Sequence, residues 1–248
     1  MVFKDYSKIY NLLYADKDYN NESNYIVSLL NEFNINSGSN ILEFGSGTGI
    51  HGDILAKNGF LIHGVEVSKD MINLSKNLNK NFKLNHGDIR NYVVDEKFDA
   101  VISLFHVLSY QSTNKDVSLV FKNAYNHLKS EGLFLFDFWY TPAVYNLKPE
   151  TRIKSVSNDE INAIRIADPV VIENKNLVDV NYNVFFKNKN DEKYSSFTER
   201  HTMRHFSIPE IEYMSKTHGF KVIRFEEFLT KKVPSQNTWG VCAVLKKI

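Results

Sequence analysis

The first chemistry in this sequence lies in a run of glycines. In Glu43-Phe44-Gly45-Ser46-Gly47-Thr48-Gly49 three glycines alternate, the first two residues past an acid. Between a strand and a helix, such a turn bares backbone N–H groups and lets a ligand approach the main chain. A Cβ at Gly45 or Gly47 is therefore expected to block a ligand and leave the fold near intact. Gly47, Gly49 and Gly52 also satisfy G-x-G-x-x-G, which alone would fit an NAD(P)-dependent oxidoreductase. Two later acids weigh against that reading. Glu66 falls about 20 residues past the loop, where a carboxylate can hold both ribose hydroxyls. Asp88 ends the next strand, where its carboxylate or the N–H of Ile89 can meet an adenine edge.

Three further groups are candidates for the reaction itself. His106 follows an apolar strand, and the carboxyl ends of strands face the ligand crevice in open α/β sheets. A histidine there is a general-base candidate. His201, Arg204 and His205 form a second group. On a strand, His201 and His205 share one face and Arg204 takes the other. Arg204 is expected either to hold a phosphate as a bidentate partner or to pair with Glu199. The i, i+4 histidines lack a carboxylate pattern for a metal, and none is expected. Trp139 and Tyr140 follow another strand and read as a lid or sugar platform. Asp137 beside them orients the pocket or simply ends its strand. His51, His63, His86, His127 and His218 read as structural or surface residues.

These residues need elements to place them. Tyr6, Tyr10, Leu13 and Tyr14, then Tyr25, Ile26, Leu29, Leu30 and Phe33, recur at helical spacing, so residues 1–36 read as a helical leader. Strands are expected at 41–44, 60–67, 82–85, 98–104 and 133–138. Helices are expected from the loop to Lys57, over 68–79 behind a Ser68 cap, and over 116–128 with Gly132 as the stop. This alternation predicts an α/β fold with a doubly wound parallel sheet. The rhythm breaks near Thr141-Pro142. Residues from about 151 to 206 read as strands with turns at 157–159 and 187–191, an antiparallel insert. Ser207-Ile208-Pro209-Glu210 starts a helix ending at His218-Gly219, and strands at 221–229 and 238–245 close the sheet.

Loop, acids and leader together resemble the class I S-adenosylmethionine-dependent methyltransferases. Within them the chain is similar to bacterial N-methyltransferases of nucleotide-linked deoxyaminosugars and to polysaccharide-cluster relatives. The stretches that carry this are 10–14 with 17–19, 42–49, 87–90, 137–142 and 201–206. The resemblance implies a Rossmann-like sheet of seven strands with an antiparallel β insert. It divides the chain into a leader or lid (1–36), a cofactor-binding core (37–145 and 207–248) and an insert on the substrate side (146–206). It implies S-adenosylmethionine as cofactor and S-adenosylhomocysteine as product. The implied cofactor residues are Tyr14, Tyr19, Glu43, Gly45, Ser46, Gly47, Gly49, Glu66, Val67, Met71, Asp88, Ile89 and Leu104, with Met71 near the adenine. Tyr14 and Tyr19 would bond the methionine carboxylate or line the transfer site. Tyr10, Trp139, Tyr140 and Arg204 would bind the acceptor, and His106 and His201 would be catalytic. Methyl transfer from a sulfonium is an in-line displacement that mainly needs positioning. A neutral amine needs little more, whereas a hydroxyl needs a base. The relatives mostly carry small polar residues where this chain has His106, which keeps an oxygen nucleophile open. O-methylation of a phosphate, phosphoramidate or other capsule precursor is a further option, as is a non-catalytic module that merely keeps the cofactor fold.

Composition sets the outer bounds. The 248 residues are 43% hydrophobic, 24% charged and 13% aromatic, which excludes wholesale disorder. The single cysteine, Cys242, excludes an internal disulfide framework and points weakly to a cytoplasmic setting. A formal net charge of +1 argues against a nucleic-acid partner. No apolar run approaches the ~18 residues of a membrane span, and Lys4 and Asp5 interrupt any signal-peptide core. The expected partner is a small molecule, with a homodimer left open.

Overall fold

The computed structural model describes residues 5–190 and 193–248. Residues 1–4 of the expected leader and Asp191 of the expected 187–191 turn lie outside them. Seven strands form the central sheet: β1 (Asn40–Phe44), β2 (Leu61–Glu66), β3 (Phe82–His86), β4 (Phe98–Ser103), β5 (Leu128–Tyr140), β10 (Phe220–Glu227) and β11 (Gly240–Lys247). Their order is β3-β2-β1-β4-β5-β11-β10. The first five are parallel, and β11 runs antiparallel between β5 and β10.

Side-chain alternation along the strands builds two cores. Ile41, Ile62, Ala100, Ile102, Leu133, Leu135 and Val244 point to one face, covered by α2 (Tyr19–Glu32) and α3 (Ile50–Lys57) through Ile26, Leu29, Leu30 and Leu55. Leu42, Phe44, Val101, Phe134, Phe136, Phe138 and Ala243 point to the other, covered by α5 (Asn114–His127) and α7 (Ile208–Thr217) through Val117, Val120, Phe121 and Ile211. Strands apolar on both faces are what a sheet buried between helix layers requires.

The remaining chain forms a roof. Strands β6 (Arg152–Ser157), β7 (Ile161–Ile172), β8 (Leu177–Asn188) and β9 (Ser195–Phe206) pair antiparallel in sequence order. The end of β9 joins the end of β5 in parallel, pairing Trp139 with His205 and Tyr140 with Phe206. This ties the insert to the sheet at its carboxyl edge. The leader breaks at residues 14–18 into α1 (Ser7–Leu13) and α2. Tyr6, Ile9, Tyr10 and Leu13 pack with Met71 and with Ala163 and Val184 of the insert, so α1 belongs to the roof and α2 to the core.

Strand β5 starts at Leu128, so Gly132 lies inside it rather than ending α5, and two further elements differ from expectation. Helix α4 (Lys69–Leu74) stops well short of residue 79. Beyond it the chain is rich in Ser and Asn, which favour local bonds over helix. Asn77 takes a left-handed φ of 54°, and Asp53 Oδ1 accepts from the Asn79 N–H at 2.7 Å. Helix α6 (Thr141–Leu147) was not expected. Its Pro142 sits in the first turn, the same start signal that marks α7 at Pro209.

Candidate active site

The loop sits at the carboxyl end of β1. The N–H groups of Gly45 and Ser46 both donate to Val65 O, at 2.8 and 3.1 Å, which folds the turn back onto β2. Gly45 and Gly47 have φ of +73° and +56°, a region costly for residues with a Cβ. A Cβ at Gly45 would stand 2.5 Å from Val107, so it would collide with the protein before it met any ligand. At Gly47 the nearest atom is 3.6 Å away, on Met71, and only the backbone conformation opposes substitution.

The acids take different places. Glu66 is buried and lines the cavity above the loop, accepting from the N–H groups of Gly47 (2.9 Å) and Ser68 (2.8 Å). Burial raises its pKa, against the lowering effect of N–H bonds from Ser68, Gly47 and Val67. Glu43 lies beneath the loop, 2% exposed and off the cavity wall, which corrects the expected direct cofactor contact. Burial pushes its pKa up to about 8, with Ser46 opposing and Glu66 adding. Gly49 also lies off the wall, as the N-cap of α3. The Asp88 carboxylate lies at the cavity wall and is bound by Arg90 through Nε (3.0 and 3.1 Å) and Nη2 (2.6 Å). The Ile89 N–H, in contrast, has no partner among the described residues and lies at the cavity wall. Ser46, Val67, Met71 and Leu104 line the same wall.

One cavity of about 1100 Å³ runs from this loop to the insert. The leader closes one side. The rings of Tyr10 and Tyr14 meet at a tilt of 49° with centroids 4.7 Å apart, and Tyr14 meets Phe105 at 5.2 Å. Tyr19 lies 4.9 Å from His51, which lines the cavity rather than the surface. Lys17 pairs with Glu22 and sits 4.4 Å over the rings of both Tyr19 and Phe105.

His106 stands on the wall between β4 and the loop. Its Nδ1 is 2.7 Å from Asp137 Oδ2, and its N–H donates to the same carboxylate at 3.1 and 3.2 Å. Trp139 lies 6.1 Å from His106 and edge-on to Trp239 at 5.3 Å, and all three line the cavity. Tyr140 does not; it packs against the core face of α5 and α7, because alternation along β5 turns it away from Trp139.

On β9, His201 faces the cavity with both ring nitrogens engaged, Nδ1 by the Tyr110 hydroxyl (3.0 Å) and Nε2 by Glu199 (2.8 Å). A base at His201 would first have to break one of these bonds. Arg204 points away, to Glu210 at 3.2 Å and over Phe206 at 4.9 Å. It is therefore neither an acceptor ligand nor a partner of Glu199. His205 bonds the Thr141 hydroxyl at 2.9 Å, and burial lowers its pKa to about 4. Among the described residues no group of three His, Cys, Asp or Glu side chains could hold a metal ion.

Sequence reasoning missed Tyr110, Arg165, Tyr182 and Trp239, which all line the cavity. Arg165 donates to the Tyr6 hydroxyl at 3.1 Å, and its Nε is buried without a partner among the described residues. The one available signal was an arginine between Ile164 and Ile166.

Comparison with known proteins agrees with this geometry. Residues 41–132 match the family described as methyltransferase domain. The putative methyltransferase YqeM of Bacillus subtilis (strain 168) is 27% identical, over 95% of this chain and 93% of its own length. The dTDP-3-amino-3,4,6-trideoxy-alpha-D-glucopyranose N,N-dimethyltransferase of Streptomyces venezuelae is 27% identical, over 57% of this chain and 60% of its own. In fold, an S-adenosylmethionine-dependent methyltransferase from Clostridium acetobutylicum ATCC 824 superposes with a TM-score of 0.77 at 22% identity, covering 100% of this chain and 99% of that one. Sheet order, glycine loop and matched domain define the class I methyltransferase architecture. Residues 41–132 are a methyltransferase domain, and the chain as a whole has the fold of S-adenosylmethionine-dependent methyltransferases.

Proposed function

We propose that the chain transfers a methyl group to a nitrogen or oxygen of a small polar acceptor bound under the insert. The observation that carries this is the single cavity of about 1100 Å³, shared by the glycine loop, the leader and the insert. Its size exceeds the roughly 300–1,000 Å³ of a pocket for one small ligand. The residues present fit the methyl donor. Glu66 offers a buried carboxylate for ribose hydroxyls, Ile89 an unused N–H for the adenine edge, and Met71 an apolar wall for the ring. Tyr14 and Tyr19 close the methionine end. The bound donor supplies an activated methyl on a sulfonium, and the protein's own contribution is alignment and exclusion of water. Tyr10, Trp139 and Tyr182 give the acceptor an aromatic platform. A nucleotide-linked sugar or polysaccharide precursor suits such a surface, and one relative is named for a dTDP-aminosugar substrate.

Calorimetric titration tests the donor. S-adenosylmethionine and S-adenosylhomocysteine should bind with micromolar affinity, about −8 kcal/mol, while NADH gives no heat. NADH binding alone would overturn the reading.

A further inference from the structure

Resting on the methyl-donor reading, we propose that His106 is the general base of the transfer, that Asp137 fixes which of its nitrogens carries the proton, and that the acceptor nucleophile is a hydroxyl. Asp137 is 1% exposed, and among the described residues it is met by His106, whose backbone N–H donates to it and whose Nδ1 stands 2.7 Å from Oδ2 without the angle of a hydrogen bond. A carboxylate this buried is kept ionised only by a partner that donates to it. At 2.7 Å from Oδ2, Nδ1 is the nitrogen to which we assign the hydrogen, a small turn of the ring completing the bond. That leaves the lone pair on Nε2, which makes no hydrogen bond among the described residues. The side chain is 20% exposed, and its open part belongs to the cavity wall.

The backbone is shaped for this placement. Phe105 and His106 both adopt left-handed φ, at 64° and 60°, although neither is glycine. Strained non-glycine pairs persist where surrounding contacts over-determine them, as they do in catalytic turns. Here the Asp137 carboxylate grips the strained N–H, and Val107 packs where a Cβ on Gly45 would stand. The turn that carries the histidine thus abuts the donor loop directly.

A neutral amine would make little use of such a device, since it attacks with its own lone pair. A hydroxyl must lose its proton as it attacks. In the proposed step the acceptor O–H proton passes to Nε2 while the oxygen–methyl bond forms. The carbon–sulfur bond breaks with its electron pair remaining on sulfur, giving S-adenosylhomocysteine and a methyl ether. The resulting imidazolium is paired with Asp137 until it releases its proton to water. His201 does not compete for this role, with Tyr110 and Glu199 on its two nitrogens.

Two measurements decide it. The first is ¹⁵N NMR of the complex with S-adenosylhomocysteine, which reads the His106 tautomer without any acceptor. The proposal requires Nδ1–H with bare Nε2 in the neutral ring, and loss of that preference in Asp137→Asn with recovery in Asp137→Glu. An Nε2–H tautomer in the wild type overturns the dyad whatever the acceptor. The second incubates methyl-labelled donor with hydroxylated sugars, sugar phosphates and nucleotide sugars, each beside its amino counterpart. Label on oxygen, lost at least ~100-fold in His106→Gln and about 10-fold or more in Asp137→Asn, supports the proposal. Label on nitrogen at a rate His106→Gln leaves unchanged overturns it. S-adenosylhomocysteine affinity is measured throughout. If the wild type fails to bind it, the donor reading fails, and the tautomer measured on the free protein still judges the dyad.

Discussion

At the scale of single residues, burial decides which acids act and which merely support. Glu66 accepts one N–H bond from the loop, at Gly47, and one from Ser68 at the start of α4. Hydrogen bonds to a charged group contribute about 1.5–3 kcal/mol each. Glu66→Gln should weaken S-adenosylhomocysteine binding by at least ~10-fold in calorimetry, and unchanged affinity would take the ribose contact away. Glu43 behaves differently. Its pKa rises from 4.5 to about 8, so the folded chain holds a proton that the unfolded chain releases above pH ~4.5. Its contribution to stability is full below that point and falls as pH rises towards 8, by up to ~1.4 kcal/mol per unit. Glu43→Gln should flatten the decline of Tm between pH 5 and 8 relative to wild type. An identical slope in both proteins would remove Glu43 as its source. The glycine loop and Glu66 were legible because their spacing is fixed by local geometry. Arg165 and Trp239 were not, because they reach the cavity only through the pairing of distant strands, and Tyr110 was not, because it sits in a single helical turn after His106 with no period to mark it. Asp137 was named in the sequence as orienting the pocket, but its grip on His106 depends on a side-by-side placement of β4 and β5 that no local pattern encodes.

At the scale of elements, caps and apolar faces carry the stability. Helix α7 opens with a reciprocal box: Ser207 Oγ accepts from the Glu210 N–H at 3.4 Å, and the Glu210 carboxylate accepts from the Ser207 N–H at 2.8 Å. Ser207→Ala should cost about 1 kcal/mol in urea unfolding, with a loss under 0.3 kcal/mol counting against the box. Phe121 is fully buried on α5 against Phe134 and Phe136. Phe121→Ala should cost about 3–5 kcal/mol by the same measurement, and a cost near 1 would mean that this face is loosely packed. The α7 start and the strands of the core read directly from the sequence. The early end of α4 did not, because apolar spacing through Leu78 imitates a helix while Asp53 draws the chain out of one. Thr141-Pro142 read as a break rather than a start, although Pro142 gives α6 the same first-turn signal that Pro209 gives α7.

At the scale of the whole molecule, leader and insert hold one another over the cavity. Lys154 Nζ donates to Leu13 O and to Asp16 Oδ1, each at 2.6 Å, and the Tyr6 N–H donates to Glu199 Oε2 at 3.3 Å. Lys154→Ala should speed amide hydrogen exchange in α1 several-fold and leave α5 unchanged. Equal exchange in both proteins would show that this lysine does not fasten the leader. No helix among the described residues is long and apolar enough to cross a membrane. Every one of these roof contacts joins segments far apart in the chain, 193 residues for Tyr6 and Glu199 and 141 for Lys154 and Leu13. Contacts of that separation form late, since most of the chain must already be ordered before they repay its loss of freedom. Helix α1 therefore leaves the ribosome well before the strands that seat it, and it waits with Tyr6, Ile9 and Leu13 uncovered until they arrive. In a cell this interval, more than the finished enzyme, is where a chaperone would find something to hold.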